Sequence, residues 1–356
     1  MIQRKLNILM IGPARNVMGG ISSVVNCYFE TSLIHRVNLT YIESHCDGSK
    51  IKKLFKAIIS YFKFIYILVS TKIDIVHIHT SYNMSFYRKT AFFLIAKFFL
   101  KNIILHVHSG RFDSFCNKNK FNKYLVRMIF QHSKVIIALS NYWKDIFLNY
   151  SDNKNVKVIY NPINIEKYSS TLDKKSTEII FVFMGVLNKA KGVYDLLDVI
   201  EKLIIKYKNI KFKLCGNGQL DEVRTIIKKK EMNEYIELTG WIGEKEKIRT
   251  LRESDIFVLP SYIEGLPMSI LEAMASGLPI ISTNIGGIPE AVINGENGFI
   301  IEAGDKESLY EKSLLLIGSE ELRYKMGNAN SKILKMKFSS ELIASQLVEV
   351  YESIIE

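Results

Sequence analysis

Two glutamates separated by seven residues flank a predicted helix start in the segment DIFVLPSYIEGLPMSILEAMASG, residues 255–277. Proline favours the first helical position and glycine the end, so a helix is predicted from about Pro267 to about Gly277. The free N–H groups and positive dipole end at its start form a seat for a phosphate. Carboxylates bind sugar hydroxyls well, so Glu264 beside that seat is expected to contact a sugar, and Glu272, two turns along, a ribose.

A glycine pair near the N-terminus points to the same kind of ligand. Gly19 and Gly20 precede a predicted helix, and two glycines there let the backbone come close to a phosphate. Their spacing is not that of the Gly-x-Gly-x-x-Gly dinucleotide motif. The pair therefore favours a phosphate-bearing ligand and does not indicate a dinucleotide cofactor.

These residues need a frame that brings strand ends together. Short apolar runs alternate with longer helical patterns along the chain, which predicts parallel sheets covered by helices on both faces. The predicted strands are 6–12, 37–42, 73–79, 102–108, 134–139, 156–160, 178–185, 210–216, 235–240, 255–260 and 279–283. The fold class is therefore α/β, with one doubly wound, Rossmann-like unit in each half of the chain.

Ligands of such sheets bind beyond the carboxyl ends of the strands. His79 and His108 end the third and fourth predicted strands. His106 stands two residues before His108, and we expect it to face the opposite side and to serve packing. Two sheets whose strand ends face each other enclose a cleft, which is a preferred place for a site.

Charge separates the two halves of the chain. Residues 1–170 contain 24 Lys+Arg, 8 Asp+Glu and all seven histidines, whereas residues 171–356 contain 24 Lys+Arg and 28 Asp+Glu. The net charges of +16 and −4 predict two domains with different partners, joined by the polar linker 169–177. A basic first domain suits an anionic membrane surface or a phosphorylated acceptor. No recognisable nucleic-acid-binding module is present, so we expect no nucleic-acid partner.

Two segments, 51–71 and 86–101, mix lysine with aromatic and aliphatic residues. Lysine interrupts both, so neither is a good transmembrane span. They are predicted to be helices that lie in a membrane interface with their lysines toward anionic headgroups; the alternative is a helix packed on the sheet with its lysines in water. A short N-terminal apolar run, better suited to a strand than to a signal peptide, and four widely spaced cysteines predict a cytoplasmic protein, peripheral on the inner membrane face.

The stretch around the two glutamates resembles the signature of the retaining glycosyltransferases of family 4, also called glycosyl transferases group 1. Glu264 and Glu272 match the Glu-x7-Glu pair of that family, in the wording EGLPMSILEAMASGLP, and the similarity continues to residue 298. The resemblance covers nearly the whole chain and implies the GT-B fold, with two Rossmann-like domains facing across a cleft. The implied domains are an acceptor-side domain, 1–170, a nucleotide-sugar-binding domain, 171–337, and a last helix, 338–356, that packs back on the first domain.

The resemblance also implies roles for individual residues. It places His108 near the donor sugar, Lys191 at the donor diphosphate and Glu264 at the sugar, where it positions the donor and stabilises developing positive charge. The other donor-binding residues that it implies are Gly19, Gly20, Gly185, Lys189, Gly216, Trp241, Gly265, Leu266, Pro267, Met268 and Glu272. No Asp-x-Asp motif stands in a suitable place, so no metal and no cofactor are expected, and positive charge and a helix dipole act on the leaving diphosphate.

One position departs from the family pattern. Val186 stands where the family usually has an arginine that neutralises the donor diphosphate, and Lys189 is an extra lysine that can compensate. The implied reaction is transfer, with retention, from a nucleotide sugar, a UDP-hexose or UDP-N-acetylhexosamine, to a lipid-linked oligosaccharide in capsule, O-antigen or exopolysaccharide synthesis. Two alternatives stay open: a nucleotide-sugar epimerase of similar fold, and a catalytically inactive, membrane-bound partner subunit, which Val186 favours.

Overall fold

The computed structural model describes residues 4–168 and 178–355, and the predicted linker 169–177 lies outside the described residues. The chain divides into two compact units. Unit 1 contains the chain up to Pro162 and again from Phe338, and unit 2 runs from Ile163 to Lys337. The step from the first unit to the second thus falls at Pro162, earlier than the predicted boundary at 170.

Unit 1 is built on a six-stranded, all-parallel sheet. Its strands are β1 Asn7–Gly12, β2 Asn38–Glu43, β3 Ile75–Thr80, β4 Asn102–Val107, β5 Val135–Ala138 and β6 Val156–Val158. They lie in the order β2-β1-β3-β4-β5-β6, so the direction of winding reverses between β1 and β3. Ligands of open α/β sheets bind at such a switch point, beyond the carboxyl ends of the strands.

The helices that follow these strands cover both faces of the sheet. They are α1 Gly20–Phe29, α2 Leu33–Arg36, α3 Lys50–Ser70, α4 Met84–Phe98, α5 Phe112–Cys116, α6 Lys120–His132 and α7 Asn141–Leu148. Aromatic side chains fill the core, with Phe86, Phe112 and Phe130 fully buried and in ring contact. Unit 1 therefore has an apolar interior of its own and is a domain in the physical sense.

The two lysine-aromatic segments differ in what they expose. In α4, Phe86, Phe92 and Phe93 are buried in the core, so the prediction that 86–101 lies in a membrane interface is wrong for these side chains. The large apolar groups that this segment exposes are Leu94, Phe98 and Leu100, all in its second half. The reason is packing, since α4 is covered by neighbouring elements that the sequence pattern of the segment does not reveal.

Unit 2 repeats the architecture with a second six-stranded parallel sheet. Its strands are β7 Ile179–Met184, β8 Ile210–Cys215, β9 Ile236–Gly240, β10 Ile256–Leu259, β11 Ile280–Thr283 and β12 Gly298–Ile301, in the order β12-β11-β10-β7-β8-β9. Strand β12 was not predicted, because it is short and begins with glycine. A Cβ atom at Gly298 would lie 2.2 Å from the carbonyl oxygen of Ile280, so this edge pairing needs glycine.

The helices of unit 2 are α8 Val193–Lys206, α9 Leu220–Lys229, α10 Glu244–Glu253, α11 Met268–Ala275, α12 Ile288–Ala291, α13 Lys306–Gly318 and α14 Glu320–Lys337. The last helix, α15 Ser340–Ile355, belongs to unit 1. Its Ser345 Oγ accepts a hydrogen bond from Arg36 at 2.8 Å, and its Tyr351 hydroxyl lies 2.7 Å from His77 Nδ1. No helix within the described residues combines the length and apolar character needed to cross a membrane.

Candidate active site

In unit 2, the loop after β10 brings Glu264 against a lysine from another loop. Glu264 is 6% exposed, and its Oε1 accepts hydrogen bonds from Lys191 Nζ at 2.5 Å and from Ser261 Oγ at 2.8 Å. Lys191 ends the short 3-10 turn Lys189–Lys191 that follows β7. Because β7 and β10 are neighbours in the sheet, their carboxyl-end loops meet. The fold thus joins two of the three residues predicted to be catalytic.

Glycines allow these loops to approach. Gly192 has φ +71°, and a Cβ atom there would lie 2.0 Å from the carbonyl oxygen of Pro260. Gly286 has φ +59°, and a Cβ atom there would lie 2.2 Å from the carbonyl oxygen of Glu264. A larger residue at either position would push backbone away from the Glu264 loop, in addition to the cost of the left-handed conformation.

Helix α11 begins at Met268, directly after Pro267, and confirms the predicted helix start. Its first turn has no side-chain cap and no acidic residue. The N–H of Ile270 donates to the carbonyl oxygen of Pro267 at 3.2 Å, whereas the N–H groups of Met268 and Ser269 at the helix start remain available to an anion. Leu266 and Pro267 are buried, whereas Gly265 and Met268 are partly exposed. These four residues, which are among those predicted to bind the donor, therefore lie at the uncapped start of the helix.

Glu272 lies in the second turn of α11 and is 4% exposed. Its carboxylate forms a hydrogen-bonded ion pair with the Nζ atom of Lys247 in α10. Lys247 is not predictable from the sequence, because α10 has the composition of an ordinary charged surface helix in which nothing distinguishes this lysine. The ion pair fixes the orientation of the Glu272 carboxylate. A fixed orientation is what a carboxylate needs if it is to accept a hydrogen bond from a ligand hydroxyl.

The loops after β7, β8 and β9 form the other side of this sheet end. Gly216 N donates to the carbonyl oxygen of Gly240 at 2.8 Å, and a Cβ atom at Gly216 would lie 1.8 Å from the carbonyl oxygen of Gly185. The two side chains that follow, Val186 and Trp241, are 49% and 51% exposed. The glycines therefore pack backbone on backbone, and an apolar and an aromatic surface stand free beside them.

Lys189 and Lys191 share one turn but not one environment. Lys191 is 25% exposed and pairs with Glu264, whereas Lys189 is exposed. The valine that replaces the usual family arginine has a half-exposed side chain. A longer side chain at position 186 therefore has open space and need not disturb the core.

Four histidines stack at the carboxyl end of the unit 1 sheet. His77 and His79 lie in β3, and His106 in β4 is followed by His108. The rings of His106 and His108 are 4.0 Å apart, and His79 Nδ1 lies 2.8 Å from His108 Nε2. His106 is thus on the same side as His108. The prediction of opposite faces is wrong, because residues two apart in a strand point to the same face.

Burial keeps these rings neutral. It lowers the pKa of His77 and of His108 to about 3, because an imidazolium cannot be solvated there. Burial also lowers the pKa of His79 and of His106 well below the ordinary value, and the neighbouring histidines add to the effect. His108, the third predicted catalytic residue, is therefore a neutral hydrogen-bonding group and not a cation.

The same cluster has the donor atoms of a metal site. His77, His79 and His106 each place one ring nitrogen within 4.8 Å of the others. A zinc ion needs such nitrogens to converge on a point about 2.0–2.1 Å away. Here the rings stack, and His77 Nε2 lies 3.3 Å from His106 Nδ1, within hydrogen-bonding reach. The arrangement favours hydrogen bonds between rings, and we assign no metal to it.

The glycine pair near the N-terminus lies at the start of α1. Gly19 precedes the helix with φ +149°, Gly20 is its first residue, and both are exposed. No heavy atom lies within 4 Å of a Cβ atom built on Gly19. The space in front of this helix is therefore open, as the approach of a phosphate requires.

Two protein-family models together match most of the chain. Residues 164–333 match the family model of glycosyl transferases group 1, and residues 34–167 match that of glycosyltransferase family 4. An uncharacterized glycosyltransferase of Methanocaldococcus jannaschii is 33% identical over 253 residues, which cover 70% of this chain and 68% of that protein. The chain belongs to the group 1, family 4 glycosyltransferases. The family suggested by Glu264 and Glu272 is thereby confirmed.

Two further proteins are similar to this glycosyltransferase, one in sequence and one in structure. The UDP-Gal:alpha-D-GlcNAc-diphosphoundecaprenol alpha-1,3-galactosyltransferase of Escherichia coli is 29% identical over 326 residues, covering 84% of this chain and 79% of the relative. The structure of HepE from Anabaena in complex with UDP-glucose matches with a TM-score of 0.79 at 17% identity, over 98% of this chain and all of that one. This likeness confirms the prediction of the GT-B fold class, with two Rossmann-like domains.

Proposed function

We propose that this glycosyltransferase moves a sugar from a UDP-hexose or UDP-N-acetylhexosamine to a lipid-linked saccharide, with retention of the anomeric configuration. The observation that carries the proposal is the Lys191–Glu264 pair just before the uncapped start of α11. A cation, free N–H groups and a buried carboxylate together suit a sugar attached to a diphosphate. The name of the E. coli relative contains UDP-Gal and a diphosphoundecaprenol-linked sugar, and HepE binds UDP-glucose. These molecules support the choice of a UDP-sugar donor and a lipid-linked acceptor.

In this proposal the donor diphosphate lies at the start of α11, next to Lys191. Glu264 hydrogen-bonds to the donor sugar and stabilises the positive charge that develops on it. The bond from the anomeric carbon to the phosphate oxygen breaks as the acceptor oxygen attacks from the same face, and the leaving phosphate takes the acceptor proton. No side chain becomes covalently attached, and Lys191 with the helix dipole supplies the positive charge without a metal.

The donor nucleoside is assigned to the second glutamate. Glu272 receives the ribose hydroxyls, with Lys247 holding its carboxylate in place. Trp241, half exposed after β9, offers a flat surface next to the same sheet end, which suits a nucleobase. The product is an extended lipid-linked saccharide, which is the kind of intermediate from which capsule, O-antigen or exopolysaccharide is assembled.

The test is release of UDP from a panel of UDP-sugars, with and without a lipid-linked saccharide acceptor. We expect UDP only when the acceptor is present, and we expect Lys191→Ala to lower turnover by about 10² or more. The matched control is Lys213→Ala, which breaks a similar pair with Glu253 (2.8 Å) elsewhere in unit 2. Interconversion of UDP-sugars without acceptor would instead indicate an epimerase, and donor binding without turnover an inactive subunit.

We also propose that α3 attaches unit 1 to the inner, anionic face of the cell membrane. One stripe of this helix is buried in the core, namely Ala57, Ser60, Phe64 and Leu68. At 100° per residue, the opposite side carries a broad exposed apolar face. That face consists of Ile51, Leu54, Phe55, Ile58, Ile59, Phe62, Ile65, Tyr66 and Val69, each at least 37% exposed. Lys52, Lys56 and Lys63 follow one edge of it. An apolar face edged by lysines is typical of a helix lying in a membrane interface.

The membrane proposal has an apolar and an electrostatic arm. Phe55→Ser with Phe62→Ser should weaken binding to all vesicles, whereas Lys52→Glu with Lys63→Glu should weaken binding only to anionic ones, more so at low salt. The control is Lys123→Glu, an exposed lysine of α6. Equal binding of wild type and both double variants would refute the attachment.

A further inference from the structure

Unit 1 holds a cluster of basic side chains that the proposed reaction has not used. His45 lies in the loop after β2, Lys53 in the first turn of α3, and Arg88 and Lys89 in the second turn of α4. These elements meet beyond the carboxyl ends of β1, β2 and β3, at the switch point of the sheet. That is the edge of an open α/β sheet where ligands bind.

Lys89 is the innermost member of the cluster. It is 2% exposed, and its Nζ atom donates to the hydroxyl of Ser44, which in turn donates to the carbonyl oxygen of Gly12 at 2.7 Å. Burial, together with the charge of Arg88, lowers the pKa of Lys89 well below its ordinary range. A buried amine that is bonded to a neutral hydroxyl lacks the counter-charge that buried lysines normally have.

The neighbouring basic groups likewise form no ion pair within the described residues. The Nε atom of Arg88 is buried and has no hydrogen-bond acceptor within the described part of the chain. Burial lowers the pKa of His45, and the charges of Arg88, Lys53 and Lys89 lower it further, so these groups lie close enough to act on one another. Two carboxylates lie nearby: Asp47 acts against these charges, and Glu43 is engaged by Lys56 at 2.7 Å. His79 in β3 lies close enough to Lys89 for its charge to lower the pKa of the imidazole, and the Nε2 atom of His79 is buried with no hydrogen-bond partner among the described residues.

We propose that this cluster is a binding site for the diphosphate group of the acceptor. The inference rests on the proposed function, since it specifies the acceptor of that reaction. A diphosphate supplies the missing negative charge, and a guanidinium next to an ammonium matches its oxygens. Lys53 lies on the core side of α3 but in its first turn, next in sequence to Leu54 of the exposed apolar face, so a lipid chain linked to the diphosphate has a short path around the start of the helix to that face. A lipid-linked diphosphate is therefore the source that the structure favours over a soluble one.

The first experiment measures the binding of inorganic pyrophosphate by calorimetry, with the donor site saturated with UDP. We expect Arg88→Gln and Lys89→Met each to weaken binding about tenfold or more, because each removes a charge-assisted hydrogen bond. Arg127→Gln and Lys123→Met are the matched controls, as both residues are exposed on α6. Absence of pyrophosphate binding to the wild type at millimolar concentration overturns the proposal. So does binding that is lost in Lys191→Ala and kept in Arg88→Gln.

The second experiment separates the ligand sources and the two proposals. With a polyprenyl-diphosphate-linked sugar as acceptor, Arg88→Gln should raise the acceptor KM about tenfold and leave the donor KM unchanged. With the same sugar as an alkyl glycoside, the variant should behave like wild type. Equal loss on both acceptors contradicts a diphosphate site while the transferase function stands. Pyrophosphate binding that needs Arg88 in a protein that transfers no sugar supports the site and removes the proposed function.

Discussion

Mild acid should destabilise unit 1 through its buried histidines. In the unfolded chain each imidazole takes up a proton near its ordinary pKa of about 6.5. In the folded protein burial lowers the pKa of His77 and His108 to about 3. The unfolded state therefore binds more protons between these values, so the stability is complete above about pH 6.5 and falls as the pH decreases toward about 3.

The size of the effect follows from these pKa values. A pH of about 5 lies some 1.5 units below the pKa of these histidines in the unfolded chain, whereas both remain unprotonated in the folded protein. The free energy of unfolding therefore falls by about 2 kcal/mol for each histidine, or about 4 kcal/mol together. His79 and His106, whose rings stack on those of His77 and His108, also have lowered pKa values and add a loss of the same sign. The paired carboxylates titrate lower, since the pKa of Glu43 and of Asp74 lies below its ordinary value.

The chain provides its own probe for unit 1. It contains two tryptophans, of which Trp143 is 4% exposed in the core of unit 1 and Trp241 is half exposed in unit 2. In a Trp241→Phe background, urea unfolding followed by fluorescence reports on unit 1 alone. We expect the free energy of unfolding to fall by about 4 kcal/mol or more between about pH 7.5 and about pH 5.

Histidine variants test whether the buried histidines cause the loss of stability at mildly acidic pH. His77→Gln and His108→Gln should each remove about 2 kcal/mol of the difference between the two pH values, whatever they do to stability at neutral pH. The control is His132→Gln, because His132 is exposed at the end of α6. A pH dependence that is the same in all three variants, or absent in the parent protein, would show that burial does not hold these rings neutral.

Three further predictions concern the donor site. Glu272→Ala should weaken UDP binding about 10- to 200-fold by titration calorimetry, since a charge-assisted hydrogen bond contributes about 1.5–3 kcal/mol; unchanged affinity in a folded variant contradicts the ribose contact. Glu264→Gln should keep UDP affinity within about threefold and lower turnover about 10²-fold, and wild-type turnover would remove its role. Val186→Arg should tighten UDP binding, because a guanidinium grips two phosphate oxygens, and Lys189→Ala should weaken it. If both leave UDP affinity unchanged, residue 186 does not line the phosphate site.

Local patterns sufficed for the frame and for part of the site. The strands predicted from apolar runs are present, and α11 begins where Pro267 indicated, because such signals depend on residues close in sequence. Glu264 before this helix and Glu272 within it were recognisable from their spacing within a longer run of matching residues. Strand β12 escaped because a glycine-led edge strand of four residues has too few apolar side chains to show a pattern.

Packing decided what the patterns left open. The segments 51–71 and 86–101 look alike in sequence, yet α3 exposes Phe55, Phe62 and Tyr66, whereas α4 buries Phe86, Phe92 and Phe93. Periodicity shows that a helix has apolar faces, but which of them is covered depends on elements that arrive from elsewhere in the chain.

Charged groups show the same division most clearly. The sequence alone marked Glu264, Glu272 and Lys191, because a recognisable motif surrounds each of them. It could not mark Lys247 or Lys89, which stand in helices of ordinary composition. Lys247 acquires its role from a carboxylate 25 residues away, and Lys89 from burial beside a serine 45 residues away. Burial and pairing are properties of neighbours in space, so only the tertiary structure could distinguish these two lysines from the 46 other basic residues of the chain.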